Sequence, residues 1–400
     1  MGLRHAHAWA QNVVPRPAHG PRRATLRPAV STTHERVSTL DGMRGIAALA
    51  VMASHYTSHR LFGGAVLAVD LLFCLGGFAI ALSYQARLYN GSMSARDFFF
   101  KRLIRLYPMF QLGIVVGALC LAGKVAAGQC SLDSTSALNA VLLNTFDLPY
   151  FGNYTLHLGA DVLPDRLFPA NVPAWSLFFQ LITNAVFALW VLRRWKSGPL
   201  LPALIAGASL VAYVAGTHQT NFGWEANYFF GGFPRALFGV FAGACLYLGL
   251  GAIRRRMPVV PAPLLLLLLL ALLCYNPQWP RFNGVYWLAI TLVVMPLLVA
   301  AGIVARAQNA ALRRALAYLG WISYPLYCLH FPVLMAYTLA TNNAPLGAAD
   351  QLACGALALA VAHLAARYVD APLRDWLTRA AFGGASEAAP ASLAARPGRD

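Results

Sequence analysis

Ten windows of about 20 residues, each almost free of charged side chains, recur along this 400-residue sequence. A helix of that length rises about 30 Å, the thickness of the hydrocarbon core of a bilayer. Backbone polar groups in lipid must be satisfied within the segment, so each window predicts a membrane-spanning helix. The windows are 43–61, 63–85, 106–126, 173–192, 199–217, 233–251, 259–275, 284–303, 318–340 and 350–369. The sequence therefore predicts an all-α, polytopic integral membrane protein with about ten transmembrane helices.

The composition excludes a soluble globular domain. Hydrophobic residues make up 58% of the chain and charged residues only 11%. Soluble domains contain about 25% charged residues, which they need to cover their surface.

The distribution of arginine and lysine predicts the orientation. With a cytoplasmic N-terminus, 25 of the 31 basic residues lie on the inner side of the membrane. Five lie on the outer side: Arg60, Lys124, Arg166, Arg235 and Arg281. Cytoplasmic loops carry the excess of basic residues in membrane proteins, so both termini are expected to be cytoplasmic.

The net charge of +17 has the same origin. The basic residues lie in short loops that face anionic lipid headgroups, and no separate basic domain is present. Membrane lipids are the expected partners of these charges, and nucleic acid is not expected as a partner.

The two ends differ from the apolar middle. Residues 1–34 are rich in Pro, Arg and His, and residues 381–400 in Ala, Gly, Pro and Ser, so both are predicted to be disordered tails. Residues 35–380 form the predicted transmembrane domain. Its longest outer segment, 128–172, is long enough to cap a cavity. The seven cysteines are scattered and no His pair has a carboxylate partner at metal-ligand spacing, so no metal site is expected.

His55 and Asp70 are ionisable residues inside the first two windows, where burial is costly and usually serves a function. By helical rise, both lie about 10 Å below the outer surface on adjacent antiparallel helices. The matching depth predicts a hydrogen-bonded dyad in which Asp70 orients His55 as a base. A purely structural contact between polar side chains is the alternative.

Arg44, Arg102 and Arg105 are predicted at the cytoplasmic mouth of the bundle. Arg102 and Arg105 are three residues apart and share one helical face, so two guanidinium groups could bind phosphates there. Ordinary positive-inside charge and a snorkelling side chain at Arg44 are the alternatives.

Six motifs in order give the chain a resemblance to the membrane-integral acyltransferase-3 family. They are Leu40-Asp41-Gly42-Met43-Arg44-Gly45 with His55, the segment 69–78 around Asp70, the segment 102–108 with Arg102 and Arg105, Pro173-Ala174-Trp175-Ser176-Leu177, the segment 319–327 with His330, and Asp370-Ala371-Pro372. The resemblance spans residues 37–376. Two positions depart from the family pattern: Gly76 stands where a Ser is usual, and Gln180 where a Glu is usual.

The resemblance implies an enzyme of the bacterial cytoplasmic (inner) membrane that moves an acyl group, expected to be acetyl, from acyl-CoA to a sugar hydroxyl of a cell-envelope or secreted glycan. Acyl-CoA is the implied donor and a glycan or glycolipid the acceptor, with no permanently bound cofactor. Arg44, Arg102 and Arg105 are then expected to bind the donor, and His55 and Asp70 to be catalytic. Trp175, Ser176, Gln180 and His330 are expected to bind substrate. There are two alternative functions. One is a transporter or flippase of a glycan or lipid-linked intermediate, and the other is a low-activity paralogue, because Gln180 replaces the usual Glu.

The charge distribution makes a direct prediction about topology. A reporter that is active only in the cytoplasm, fused after Arg379, is expected to be active, because both termini are predicted to lie inside. The same fusion after Asp133 is expected to be silent. Activity of a second kind of reporter at the same position, one that works only outside the cytoplasm, would contradict this orientation.

Overall fold

The computed structural model describes residues 31–194, 198–276 and 283–383. Residues 1–30 and 384–400 of the predicted tails, together with Lys196 and Arg281, lie outside the described residues. The first helix begins at Ser31, within the segment predicted to be a tail, and the last ends at Phe382.

Helices account for 76% of the described chain. In chain order they are α1 (Ser31–Tyr56), α2 (Val66–Tyr89), α3 (Ala95–Ala126), α4 (Ser134–Thr145), α5 (Val172–Leu192), α6 (Leu200–Thr217), α7 (Ala226–Leu248), α8 (Leu250–Arg256), α9 (Ala262–Cys274), α10 (Asn283–Val304), α11 (Ala310–Ala340) and α12 (Ala348–Phe382). Between α4 and α5, strands β1 (Thr155–Leu158) and β2 (Asp161–Pro164) form an antiparallel hairpin that pairs Thr155 with Pro164.

The predicted fold class is confirmed. Among the described residues, eight helices are long and apolar enough to cross a membrane, and each coincides with one predicted window. The remaining two windows correspond to α1 and to α9, which has only 13 residues. The total of ten spans and the orientation stay predictions.

Helices α1 and α11 run parallel in close contact, because glycines let their backbones approach. A Cβ added at Gly42 would lie 2.5 Å from the Leu316 side chain, and one at Gly45 would lie 2.5 Å from Leu319. Further along, the Tyr56 hydroxyl donates to the backbone carbonyl of His330 at 2.7 Å. Residue numbers rise together along both helices, so the α1 residues in this contact meet α11 residues about 275 positions later.

Helices α2 and α7 are also joined through glycine. Gly239 and Gly243 lie one turn apart on α7, and a Cβ at either would collide with the backbone or Cβ atoms of α2 around Phe73 and Cys74. Small residues four apart are typical of tight helix contacts in membranes, where packing replaces the hydrophobic effect as the cause of association. Arg235, one turn before Gly239, is thereby placed against Asp70 of α2.

The segment 128–172, which is predicted to lie on the outer side, contains α4, which packs against α3. Helix α4 follows Asp133, whose carboxylate caps it by accepting from the Thr135 and Ser136 amides. It packs along α3. At its last residue, the Thr145 carbonyl accepts hydrogen bonds from the Tyr107 hydroxyl at 2.5 Å and from Gln111 Nε2 at 2.6 Å. Tyr107 lies 19 residues before the outer end of α3, which is about 28 Å of helical rise. The chain therefore descends alongside α3 before it returns to the hairpin.

Candidate active site

His55 of α1 and His330 of α11 form the polar centre of the bundle. The parallel register of the two helices brings His55 Nδ1 to 3.0 Å from His330 Nε2. The imidazole rings are nearly parallel, at 5°, and Phe331 packs edge-on against His55. His330 is completely buried. The structure thus gives His55 a histidine as its partner.

The hydrogen bonds of His330 determine which nitrogen of His55 is basic. His330 Nδ1 lies 3.0 Å from the Leu326 carbonyl oxygen, which can only accept, so Nδ1 carries a proton. A buried imidazole without a carboxylate partner is neutral, so His330 Nε2 is an acceptor. His55 Nδ1 then donates to it, and His55 Nε2 retains its lone pair.

A cavity of about 100 Å³ lies beside His55, at the end of the bundle that is predicted to face the outer side. Its walls are the turn after α1, the hairpin and the segment from the end of α11 into α12. The residues that line it are His55, Tyr56, Thr57, Ser58, Arg60, Leu158, Ala160, Asp161, Leu334, Pro345, Leu346 and Gln351. Since Nδ1 of His55 is taken by His330, Nε2 is the nitrogen left for a molecule in this cavity.

Asp70 does not pair with His55, so the predicted dyad is wrong in its geometry. Both carboxylate oxygens of Asp70 accept from Arg235 of α7, at 2.6 Å from Nε and 3.1 Å from Nη2. The two side chains are almost fully buried. Equal depth on adjacent helices did not bring Asp70 and His55 together because Asp70 faces α7, whose glycines allow the closer contact.

Aromatic rings surround the Arg235 guanidinium. Trp175, Phe222 and Trp287 have their ring centroids 5.4, 5.7 and 5.5 Å from its carbon, and the remaining donors go to the Phe222 and Val66 carbonyls. Trp175, predicted to bind substrate, packs here and is not among the residues that line the cavity beside His55. The Asp70–Arg235 pair is therefore a structural contact between α2 and α7.

Ser176 lies closer to the histidines. Its hydroxyl is 2.7 Å from the hydroxyl of Tyr327, whose ring centroid lies 5.9 Å from that of His330. His330, also predicted to bind substrate, has both ring nitrogens occupied by protein atoms, and its contacts suit orientation of His55 instead.

The two departures from the family pattern meet in space. A Cβ added at Gly76 would lie 3.0 Å from the Gln180 Oε1 atom, and Gln180 Nε2 donates to Asn184 Oδ1 at 2.8 Å. Gln180 therefore lies in the contact between α2 and α5, away from the lining of the cavity. A serine at 76 would reach the side chain at 180, so the two substitutions bear on a single contact.

The predicted arginines gather at the end of the bundle that is predicted to be cytoplasmic, with acidic residues that the motif analysis did not assign to the site. Arg44 Nη1 bonds Asp41 at 3.1 Å, and Arg374 Nη2 bonds Asp370 at 2.9 Å. Arg105 interacts electrostatically with Arg102, Arg44 and Arg374 and with both aspartates. We call these six residues the inner cluster. Its four arginines outnumber its two aspartates, and the buried Nε of Arg102 has no hydrogen-bond partner among the described residues, so an anion can bind there.

Two buried cations were assigned by sequence to the outer surface. The sequence predicts Arg235 and Lys124 as outer charges, yet both are almost fully buried. Arg235 lay within the apolar window 233–251 and Lys124 within 106–126, so their position inside a window was the signal that could have identified them as interior groups.

The structure thus combines a bundle of apolar helices with a histidine pair between α1 and α11 and an arginine cluster at one end. The profile of a family described as an acyltransferase domain matches residues 37–367. The chain therefore belongs to the acyltransferase-3 family that its motifs resemble, and it is a membrane O-acyltransferase.

Two characterised sequences are similar to this chain. Protein 2 in the picA locus of Rhizobium radiobacter is 32% identical over 193 residues, which are 45% of this chain and 96% of that protein. The peptidoglycan O-acetyltransferase OatA of Listeria monocytogenes is 23% identical over 366 residues, which are 84% of this chain and 56% of that protein. No solved structure matches the chain.

The buried Asp70–Arg235 pair leads to a test of its structural role. Asp70→Leu alone leaves an unpaired guanidinium in the interior and is expected to destabilise the fold by about 3–5 kcal/mol. The double variant Asp70→Leu with Arg235→Met removes both charges and is expected to recover most of that loss. Thermal unfolding in detergent measures both effects. A double variant no more stable than the single one would contradict the pairing.

Proposed function

We propose that this enzyme transfers an acyl group from cytosolic acyl-CoA to a hydroxyl group of a glycan at the outer side of the membrane, with His55 as the general base. The observation that carries the proposal is the His55–His330 hydrogen bond. It leaves a basic nitrogen, His55 Nε2, beside a cavity at the outer side, while the inner cluster lies at the opposite end of the bundle.

The outer cavity supports a hydroxylated acceptor. Its lining includes a carboxylate, a guanidinium and an amide, from Asp161, Arg60 and Gln351. Such groups accept from and donate to the hydroxyl groups of a sugar. The Listeria relative is named for O-acetylation of peptidoglycan, which is also a glycan, so we take a glycan or glycolipid of the cell envelope as the acceptor class.

The inner cluster supports acyl-CoA as the donor. Coenzyme A carries several phosphate charges, and arginine binds phosphate through paired hydrogen bonds. Gly320 of α11 contacts Asp41 of the inner cluster, and ten residues of α11 separate it from His330, about 15 Å of rise. A donor held by its phosphates at the cluster must extend its pantetheine arm along this distance to bring the thioester to His55.

The reaction then needs only one base. His55 Nε2 takes the proton of the acceptor hydroxyl while the hydroxyl oxygen bonds to the thioester carbonyl carbon. When the tetrahedral intermediate collapses, the carbon–sulfur bond breaks and the proton passes from His55 to the thiolate, which leaves as the CoA thiol. The bond from His55 Nδ1 to His330 stabilises the imidazolium in between. No permanently bound cofactor enters this sequence. Because the proposed donor is cytosolic, we propose the bacterial cytoplasmic membrane as the location of the enzyme.

Variants of the histidine pair test the mechanism. His55→Ala is expected to lower kcat by about 10²–10⁴-fold, the usual contribution of a general base. Acetyl transfer from acetyl-CoA to solubilised envelope glycan, together with release of the CoA thiol, measures it in purified enzyme. Wild-type protein that moves glycan without releasing CoA thiol would instead show a transporter.

The role of His330 can be separated from that of His55. His330→Gln keeps a side-chain oxygen that can accept from His55 Nδ1, whereas His330→Leu removes the acceptor. We expect the Leu variant to lose about 5- to 30-fold more in kcat than the Gln variant, equivalent to about 1–2 kcal/mol. Acyl-CoA affinity should be unchanged in both. Equal losses in the two variants would show that His330 only fills space.

The donor site has its own test. Arg102→Ala and Arg105→Ala should each raise the acyl-CoA dissociation constant at least tenfold, since a charge-assisted hydrogen bond contributes about 1.5–3 kcal/mol. Lys101→Ala is the matched control, because it removes one positive charge from the same turn but from a side chain that lies against the Phe382 ring. If the affinity for acyl-CoA falls equally in all three variants, the arginines contribute only general positive charge and no specific phosphate contacts.

A further inference from the structure

Lys124 is a completely buried ammonium group that the proposed mechanism does not use. It lies near the C-terminal end of α3, and it is not among the residues that line the cavity beside His55. Its Nζ donates three hydrogen bonds: to Gln129 Oε1 at 3.1 Å, to the His157 carbonyl at 2.9 Å and to Asn343 Oδ1 at 2.9 Å. All three acceptors are neutral, so this is not an ion pair.

The three acceptors belong to three different segments. Gln129 follows α3, His157 lies in β1, and Asn343 lies in the turn after α11. The segments are also joined to one another, because Gln129 Nε2 donates to Asn342 Oδ1 at 3.0 Å and the His157 amide donates to the Gln129 carbonyl at 3.0 Å. An ammonium has three donors, and here each one holds a separate segment.

Two of these segments continue directly into opposite walls of the cavity beside His55. The residue after His157 is Leu158, which with Ala160 and Asp161 forms the hairpin wall. Two residues after Asn343 is Pro345, which with Leu346 and Gln351 forms the other wall. The Lys124 ammonium therefore lies where the two walls join the rigid helix α3.

We propose that Lys124 is a positioning residue that holds the hairpin wall and the α11–α12 wall at a fixed separation and so sets the affinity for the acceptor. The inference rests on the proposed function in that it takes this cavity as the acceptor site. A buried charge without a counter-ion is costly, and it is retained only where its hydrogen bonds are all made. Loss of the ammonium removes one hydrogen bond from each of the three acceptors. The longer bond from the Gly159 amide to Asn343 Oδ1, at 3.4 Å, then remains between the two walls, while the inner cluster and the histidine pair are untouched.

Lys124→Met provides the test, because methionine fills a similar volume without a donor. In hydrogen–deuterium exchange, the amides of 155–164 and 341–347 are expected to exchange at least tenfold faster than in the wild type. With acetyl-CoA as donor and muramidase-solubilised peptidoglycan fragments as acceptor, KM for the fragments should rise at least tenfold. The acetyl-CoA dissociation constant should be unchanged, and kcat at saturating acceptor should stay within a few fold.

Variants at Asn343 keep the test valid if Lys124→Met does not fold. Asn343 has a φ of 57°, which glycine adopts freely and aspartate tolerates. Asn343→Gly removes one acceptor and should raise KM for the fragments. Asn343→Asp keeps the acceptor and should leave KM close to the wild-type value. Ser131→Ala is the matched control, since its hydroxyl accepts from the Thr155 amide at the exposed start of the same hairpin.

The outcomes separate the two proposals. Faster exchange with a raised acceptor KM and unchanged donor affinity supports the role of Lys124. Unchanged exchange in Lys124→Met, or an equal loss of donor affinity, overturns it. Wild-type enzyme that transfers nothing to the fragments contradicts the proposed acceptor, and the exchange data then still decide whether Lys124 holds the walls.

Discussion

The close parallel contact between α1 and α11 is the constraint on which the candidate active site depends. Helices in lipid gain little from burying apolar surface against each other, so their register must come from fitted packing and polar contacts. Gly42 and Gly45 let the backbone of α1 approach α11, and the bond from Tyr56 to the His330 carbonyl fixes the far end. Only this register places His55 beside His330. The same contact holds Asp41 against Gly320, so one pair of helices positions both the histidine pair and part of the inner cluster.

Buried polar groups in this bundle are mostly fixed by one another. Arg235 is satisfied by Asp70 and two carbonyls, and Lys124 by three neutral oxygens. At the outer side, Arg166 bonds Glu225 at 2.8 Å and stacks on Trp224, which joins the segment before α5 to the loop before α7. Burial lowers the pKa of Arg166, and Glu225 opposes that shift. Each pair joins two elements that are distant in sequence, so polar contacts supply specificity that apolar packing lacks.

Hydrophobic windows were enough to predict eight spans, because a helix in lipid is a local consequence of about 20 apolar residues. The motifs select His55, Arg44, Arg102 and Arg105, whose catalytic and donor-binding roles stay predictions. What failed was the choice of partners. Depth can be calculated along one helix, but the direction in which Asp70 faces depends on which helix packs against it, and that follows from Gly239 and Gly243 more than 160 residues away. The coupling of Gly76 with Gln180 and the triple contact of Lys124 are equally non-local.

The placement of a single base between an inner donor cluster and an outer cavity has an electrical consequence. In the proposed reaction the acyl group leaves the cytosolic thioester and ends on the outer hydroxyl, while the hydroxyl proton ends on the cytosolic thiol. Formally, an acylium unit moves outward and a proton moves inward, each with one positive charge. Neither side of the membrane gains or loses charge over a turnover. A membrane potential, which acts on each transferred charge with about 2.3 kcal/mol per 100 mV, would therefore neither drive nor oppose the overall reaction.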